Sequence, residues 1–531
     1  MSELFLTTFR GLNIREEAPP DGIVLPAEVA LNVDLRTGII KPLKTNQRVE
    51  NGHSGEAVYY DIDWLSGDFN YVQFEINGFR FLVFKRGGEW FRYTRKPRTT
   101  KGQHNETIPL GHARPQAPGV AIADEQGAAV APEGGEYVHG YCVTTVRNTD
   151  GYEDESGPSG ITWATNQKES FTVRFEGPTP AGAIRWKIYR ISTSAESTST
   201  FQLVSEVPIG TEAYTDSKDG SDLGEALPGL FDEDGVTVLR SPPDVSFDGM
   251  CTVRFYGALV AWKGTTIYFS EPDNPDSFPA QYQLTAGDTI IAIEIWGSEV
   301  YVFTTSGIQR CLGSSPLNMA ITPQYFGEAA LNRRCVTVGD DGIYYTAKNG
   351  MYRVNSAGHD SMSRQRLGED WFKERAFSGC HMAYGDGVAY LFHSSGCLTF
   401  TNERGIGFIE HSGVYEGAYF DRKTTKMHVT RKGKLELLFG GSDDLRFDYR
   451  LGKLVLGRPD GKQYDYAQVY GVGKVVAVVS LDGVAYAPEY LNMDGGLMDS
   501  QITFPYTDSR EAAIHLSGTC RISEIKAVVY E

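Results

Sequence analysis

The side chains best suited to chemistry stand apart from one another in this chain. Seven cysteines occur singly, at Cys142, Cys251, Cys311, Cys335, Cys380, Cys397 and Cys520. A metal-binding or redox cysteine usually comes with a second cysteine two residues away or a histidine at zinc spacing. Neither arrangement is present, and most of the seven lie within apolar strand patterns, so buried free thiols are expected. The ten histidines are dispersed too. His381, His393 and His428 fall inside strand-like runs, where satisfied core or rim positions are the expectation. HExxH, GxSxG, the phosphate loop and the dinucleotide fingerprint are all missing. Asp232-Glu233-Asp234-Gly235 opens like a calcium loop but lacks the later bidentate glutamate, so it reads as a solvated turn. A glycoside hydrolase needs two carboxylates, one as acid and one as nucleophile or base. With 68 acidic residues such a pair stays open, although the repeated Ser-x-Asp-x-Gly-x-x-Trp signature of sialidase-type propellers is absent. The expectation is a structural or binding protein, not an enzyme, with no catalytic, cofactor-binding or metal-ligating residues.

The elements that would carry such residues are strands. Phe, Tyr and Trp make up 12% of the chain, Tyr alone appears 29 times, and 59 glycines punctuate the apolar runs. Aromatic strands broken by glycine turns mark an all-β chain. Five segments share one shape, an apolar strand, a few polar residues, a glycine and a second strand: LVAWKGTTIYF, VYVFTTSGIQRC, IYYTAKNGMYRV, AYLFHSSGCLTF and MHVTRKGKLELLF. Their glycines, Gly264, Gly307, Gly350, Gly396 and Gly433, follow one another at 43, 43, 46 and 37 residues. An earlier copy, FRFLVFKRGGEWFRY, turns at Gly87 and Gly88. Further turns precede several copies, at Asn77-Gly78, Asp341-Gly342 and Asp386-Gly387, where a two-residue hairpin needs φ > 0. A period near 43 with about four strands is the size of a β-propeller blade, and six copies predict about six blades. A run of unrelated hairpins in a sandwich is the alternative. Helix is expected only at Ser363–Arg375, with Leu367, Trp371 and Phe372 on one face, and around Glu328–Arg334.

The division that follows is 1–114 as an N-terminal arm and first blade, 115–229 as an insertion, 230–450 as the remaining blades, and 451–531 as a small closing β domain. The insertion has short strands at sandwich spacing. It resembles a fibronectin type III-like domain through Tyr141 and Val143 ahead of the Glu153–Pro158 turn, the Trp186–Tyr189 strand and Tyr214-Thr215-Asp216. Pro115, Pro118 and Pro228 flank it, as suits a module set into a loop.

Charge narrows the classes further. The formal net charge is −18 with no Lys/Arg stripe, opposite to what a phosphate-gripping protein needs. An acidic wall does suit DNA that must slide past without sticking, and the charge also serves solubility. The N-terminus lacks the pattern of a signal peptide, and no apolar run approaches 18 residues. A soluble protein made in a reducing compartment, without stable membrane insertion, is therefore expected.

The segment VRFYGALVAWKGTTIYFSEPDNPDSFPAQYQLTAGDTIIAIEIWGSEVYVFTTSGIQRCLG, from Val253 to Gly313, resembles the propeller core of podovirus tail nozzle proteins (tail tubular protein B, or packaged-DNA stabilisation protein). The stretch FRGLNIREEAPPDGIVLPAEVALNVDLRTGIIKPL resembles the opening of phage virion proteins, and FPYTDSREAAIHLSGTCRISEIKAVV their closing strands. The resemblance implies a hexameric nozzle in the virion tail, assembled in the host cytoplasm below a head-to-tail adaptor protein. It also implies attachment of tail fibres or spikes and passage of double-stranded DNA without sequence specificity. The insertion is outside the family's minimal pattern. In the loop Tyr268–Pro279, the residues Tyr268, Ser270, Glu271, Asp273, Asn274 and Phe278 are candidates for a subunit-contact or lumen loop, an ordinary interblade turn being the alternative. A glycan-binding adhesin of a fibre or baseplate and a propeller hydrolase are the competing functions.

Overall fold

The computed structural model describes residues 2–6, 27–37, 39–48, 71–95, 107–123, 129–130, 137–149, 151–166, 170–192, 200–227, 242–375, 377, 379–403, 406–421, 425–432, 434–451, 454–455, 462–494, 500–505, 508–509 and 511–530. The chain is all-β, and its repeating unit is the four-stranded antiparallel meander of a propeller blade. It divides into two compact units, 70–304 with 309–325, and 1–69 with 305–308 and 326–531.

The first of these units holds three blades. Their strands are Tyr71–Ile76, Phe79–Arg86, Glu89–Arg95 and Thr107–Pro109; Gly249–Met250, Val260–Lys263, Thr266–Phe269 and Gln283–Thr285; and Ile290–Trp296, Glu299–Thr304, Gly307–Leu312 and Ala320–Ile321. At the turn between the first two strands of the first blade, Asn77 and Gly78 both have positive φ, 49° and 77°. That is the backbone a type I′ hairpin requires. Val72, Val83, Trp90, Phe247, Leu259, Tyr268 and Phe278 form one apolar core shared by the first and second blades. The Trp90 indole N–H donates to the Phe247 carbonyl at 2.9 Å, so the ring is buried without losing its polar end.

Between the first and second blades lies a two-sheet sandwich. One sheet is ordered Ala129–Val130, Gly119–Ala123, Phe171–Arg174, Ala213–Asp216. The other is Tyr152–Glu155, Tyr137–Thr149, Ala183–Ser192, Gln202–Pro208, with Thr162–Asn166 beside the long second strand. Tyr141, Val143, Phe171, Val173, Trp186, Ile188 and Val204 fill the space between them. Asp216 is fully buried, accepting from the Tyr141 hydroxyl at 2.7 Å and pairing with Arg190 at 2.7 Å.

The other unit holds three further meanders. The fourth blade is Val336–Val338, Ile343–Ala347, Gly350–Asn355 and Gly358–Ser361. The fifth is His381–Gly385, Val388–His393, Gly396–Thr401 and Gly407–His411, and the sixth Gly417–Asp421, Lys426–Arg431 and Lys434–Leu437. Gln47–Arg48, from far upstream, supplies the sixth blade's outer strand, pairing with Glu436 and Leu437. The first strand of the fifth blade packs against those of the fourth and the sixth.

A terminal β domain completes this unit. One sheet runs Ser2–Leu6, Arg521–Tyr530, Lys462–Val472, Gln501–Thr503, so strands near both ends of the chain pair, from Ser2 with Val529 to Leu6 with Ile525. The facing strands are Ala27–Leu31, Phe447–Leu451, Glu511–Gly518 and Lys474–Leu481. They continue the fifth blade's sheet through a parallel pairing of Leu31 with Glu410.

Both expected helices are shorter than the sequence pattern implies. Helix runs only over Gly368–Glu374, because Ser363 to Leu367 closes a tight turn, with the Leu367 N–H donating to the Ser363 carbonyl, and Gly368 has φ 76°. Leu367 and Phe372 are buried and Trp371 packs beside them. Around Glu328–Arg334 the only helical turn is Arg333–Cys335. The residues before it lie along a strand instead: Ala330 bridges Ala347, and the Leu331 N–H donates to the Thr346 carbonyl.

Candidate functional site

The six loop residues singled out by sequence divide into a buried base and an exposed tip. Tyr268, Ser270 and Phe278 are buried, Glu271 and Asn274 are half-buried, and Asp273 is exposed beside exposed Pro272. Tyr268 and Phe278 both pack against Phe247, at ring separations of 5.3 and 4.9 Å. The Ser270 hydroxyl donates to the Glu271 carbonyl and accepts from the Leu259 N–H. The Asn274 amide donates to the Glu271 carboxylate at 3.1 Å, and the Glu271 N–H donates to the Ser277 carbonyl. Asp273 has φ 56°, and Arg254 pairs with its carboxylate at 2.7 Å while donating to the Glu75 carbonyl of the first blade. The loop therefore closes on itself and leaves only its tip to solvent.

Asp276, inside the same loop but not among the six, points the other way, into a buried charged node. Its carboxylate accepts from the Gly111 N–H at 2.7 Å and pairs with Arg92 at 2.7 Å and Arg147 at 3.2 Å. Both guanidiniums also hold Asp154, at 2.8 Å from Arg92 and 2.7 Å from Arg147. His112 bonds Asp154 through Nδ1 and Thr145 through Nε2, each at 2.9 Å. Arg92 comes from the first blade, Arg147 and Asp154 from the sandwich, and Asp276 from the second blade. Tyr152 and Phe81 flank the Arg92 guanidinium at 5.4 and 5.8 Å.

Electrostatics in the node follow from burial and neutrality. Two guanidiniums face two carboxylates; Arg92, Arg147 and Asp276 are buried, and the Asp154 side chain is 9% exposed. Burial pushes Asp154 up, but Arg92, His112 and Arg147 outweigh it and hold the carboxyl well below the usual range. Burial, helped by Arg147, lowers His112, so the ring stays neutral with both nitrogens occupied. Gly111 sits at φ 86° in a position where a Cβ would lie 2.7 Å from Pro243 Cδ. Backbone and charges together make this a structural joint within the unit. Its members span 92 to 276 in sequence, so no local pattern could have announced it.

Among the described residues no group of three or more His, Cys, Asp or Glu side chains is placed to hold a metal ion. All seven cysteines are buried free thiols, as the strand pattern implied. Burial pushes Glu410 upward, and Arg375 lies 3.5 Å from it. His381 and His411 are buried and His393 half-buried. Asp232–Gly235 lies outside the described residues, as do Gly11-Leu12-Asn13. No helix of the described residues is long and apolar enough to cross a membrane.

No family model matches the chain, and no curated protein matches it. Solved structures similar to it include BBS1N in complex with ARL6DN, at 10% identity and TM-score 0.31, covering 75% of this chain and 97% of that one. YCF48 bound to D1 peptide aligns at 12% identity and TM-score 0.26, covering 56% and 93%. An exo-β-1,3-galactanase from Phanerochaete chrysosporium with galactose aligns at 8% identity and TM-score 0.17, covering 87% and 95%. Likeness at this level assigns neither a function nor a partner.

Proposed function

We propose that this chain is a structural component of a short-tailed phage tail, a nozzle subunit that forms the distal part of the DNA channel, retains packaged DNA and anchors fibres or spikes. The observation carrying this reading is the resemblance over Val253–Gly313, a segment that folds into most of two successive blades with a self-bonded loop between strands. A conduit asks for stiffness, and hydrogen-bonded meanders pinned by a neutral buried node supply it. The net charge of −18 suits a wall past which DNA slides, since each cation there would act as a brake. In this reading the Glu271–Asn274 tip meets a neighbouring subunit.

The test is the mass of the purified assembly, by mass photometry at low micromolar concentration, alone and with any co-purifying tail proteins. Six copies of the 58.6 kDa chain are expected, and charge reversal at the tip, Asp273→Arg, shifts the population to smaller species. A single-copy mass under every condition overturns the reading.

A second reading, a glycan-binding adhesin, is favoured by one residue. Trp163 is 52% exposed on the sandwich, lying over Gly140 of the paired strand, where a Cβ would come within 3.0 Å of the ring. Exposed aromatic faces of this kind stack on sugars, and binding on a glycan array lost in Trp163→Ala would favour the adhesin.

A further inference from the structure

We infer that Cys335 and Cys380 form a site of oxidative cross-linking, a disulfide staple between the fourth and fifth blades. The two Sγ atoms lie 2.8 Å apart, and the Cys335 thiol also lies 3.2 Å from the Cys380 carbonyl. Cys335 closes the turn Arg333–Cys335 immediately before the first strand of the fourth blade, and Cys380 immediately precedes the first strand of the fifth. Those strands pack against each other, so the pairing rests on two adjacent framework strands. Backbone contacts hold both residues. The Cys335 N–H donates to the Asn332 carbonyl at 3.1 Å, the Asn332 side-chain Nδ2 donates to the Cys380 carbonyl at 3.3 Å, and the Cys380 N–H donates to the Phe377 carbonyl at 3.2 Å.

The chemistry needs a small-molecule disulfide such as oxidised glutathione. One cysteine thiolate attacks it, forming a protein–glutathione mixed disulfide and releasing one glutathione thiol. The second thiolate then displaces the other glutathione, so two protein thiols become one disulfide as one oxidant disulfide becomes two thiols. Both cysteines are fully buried, and burial pushes the Cys335 thiol upward, so reaction occurs only when the blade junction opens. Oxidation is consequently slow in the native protein. The closed loop spans 45 residues, and restricting it in the unfolded chain raises stability.

The full chain is incubated with oxidised glutathione at pH 8, acid-quenched, alkylated in denaturant and analysed by intact mass and non-reducing peptide mapping. Amide hydrogen exchange at Cys335 and Cys380, followed in parallel, sets an incubation long enough for the junction to have opened. The expected result is five alkylated thiols instead of seven, one peptide joining Cys335 to Cys380, and a Tm several degrees above that of the reduced protein. Cys335→Ser and Cys380→Ser each abolish the cross-linked peptide and the rise in Tm. Seven alkylated thiols after both amides have exchanged, or a disulfide joining any other pair, overturns the assignment.

Discussion

Asp276 separates what a residue does from what its neighbours in sequence do. It lies between Asn274, in the solvent-facing part of its loop, and Phe278, in the core, yet its carboxylate neutralises Arg92 and Arg147 at 2.7 and 3.2 Å. Removing one partner of a buried ion pair leaves an uncompensated charge, which costs about 3–5 kcal/mol. Asp276→Ala is therefore expected to lower the unfolding free energy of the unit containing it by an amount in that range, with a lower denaturant midpoint and Tm. Asp273→Ala, at the exposed tip of the same loop, is expected to change stability by less than about 1 kcal/mol. Denaturant titration of both variants checks the contrast; equal effects would remove Asp276 from its place as the joint's anchor. The sequence showed a loop rich in Asp, Asn and Pro but not which acid turned inward, because the residues that select Asp276 lie at 92, 111 and 147.

At the scale of elements, the repeated hairpin was legible because each copy carries its own turn and its own alternation of apolar residues. The reason for some of its glycines was not. Gly350 and Gly396 are the first residues of outgoing strands, after the turns, and neither has positive φ. A Cβ at Gly396 would lie 2.4 Å from the His411 carbonyl oxygen, and one at Gly350 would lie 2.6 Å from Ser363 Oγ. Glycine there answers a close approach from a neighbouring segment, which a single sequence cannot display. The outer strand of the sixth blade was hidden for a related reason, since Gln47–Arg48 is far in sequence from the strand it pairs with. The sandwich tests the division of the chain at 115–229. Replacing 115–229 by a short linker removes Arg147 and Asp154 together, leaving Arg92 and Asp276 as a neutral pair. Such a variant is expected to unfold cooperatively with a Tm several degrees lower. A broad, non-cooperative melt by calorimetry would mean that the blades depend on the sandwich to fold.

For the whole molecule, buried neutral histidines set the response to acid. Burial pushes His381 and His411 down to about 3 and His139 to about 4. The unfolded chain takes up a proton at each as the pH falls below about 6.5, whereas the folded chain does not until near those lower values. Stability is thus full above pH 6.5 and declines below it, by up to about 1.4 kcal/mol per pH unit for each such histidine. Asp154 acts in the same direction at lower pH, since its depressed folded value contributes stability that is full above the unfolded value of about 3.9 and is lost progressively as the pH falls below it. Tm is expected to fall steadily from pH 7 to pH 4, and a flat profile over that range would contradict the buried, neutral state of these rings.

Electron microscopy of the purified protein, scored for rotational symmetry, decides whether this all-β chain is one subunit of a tail conduit, as proposed. A sixfold ring around an axial channel is the expected result. Isolated single chains, even with co-purifying tail proteins present, would contradict it.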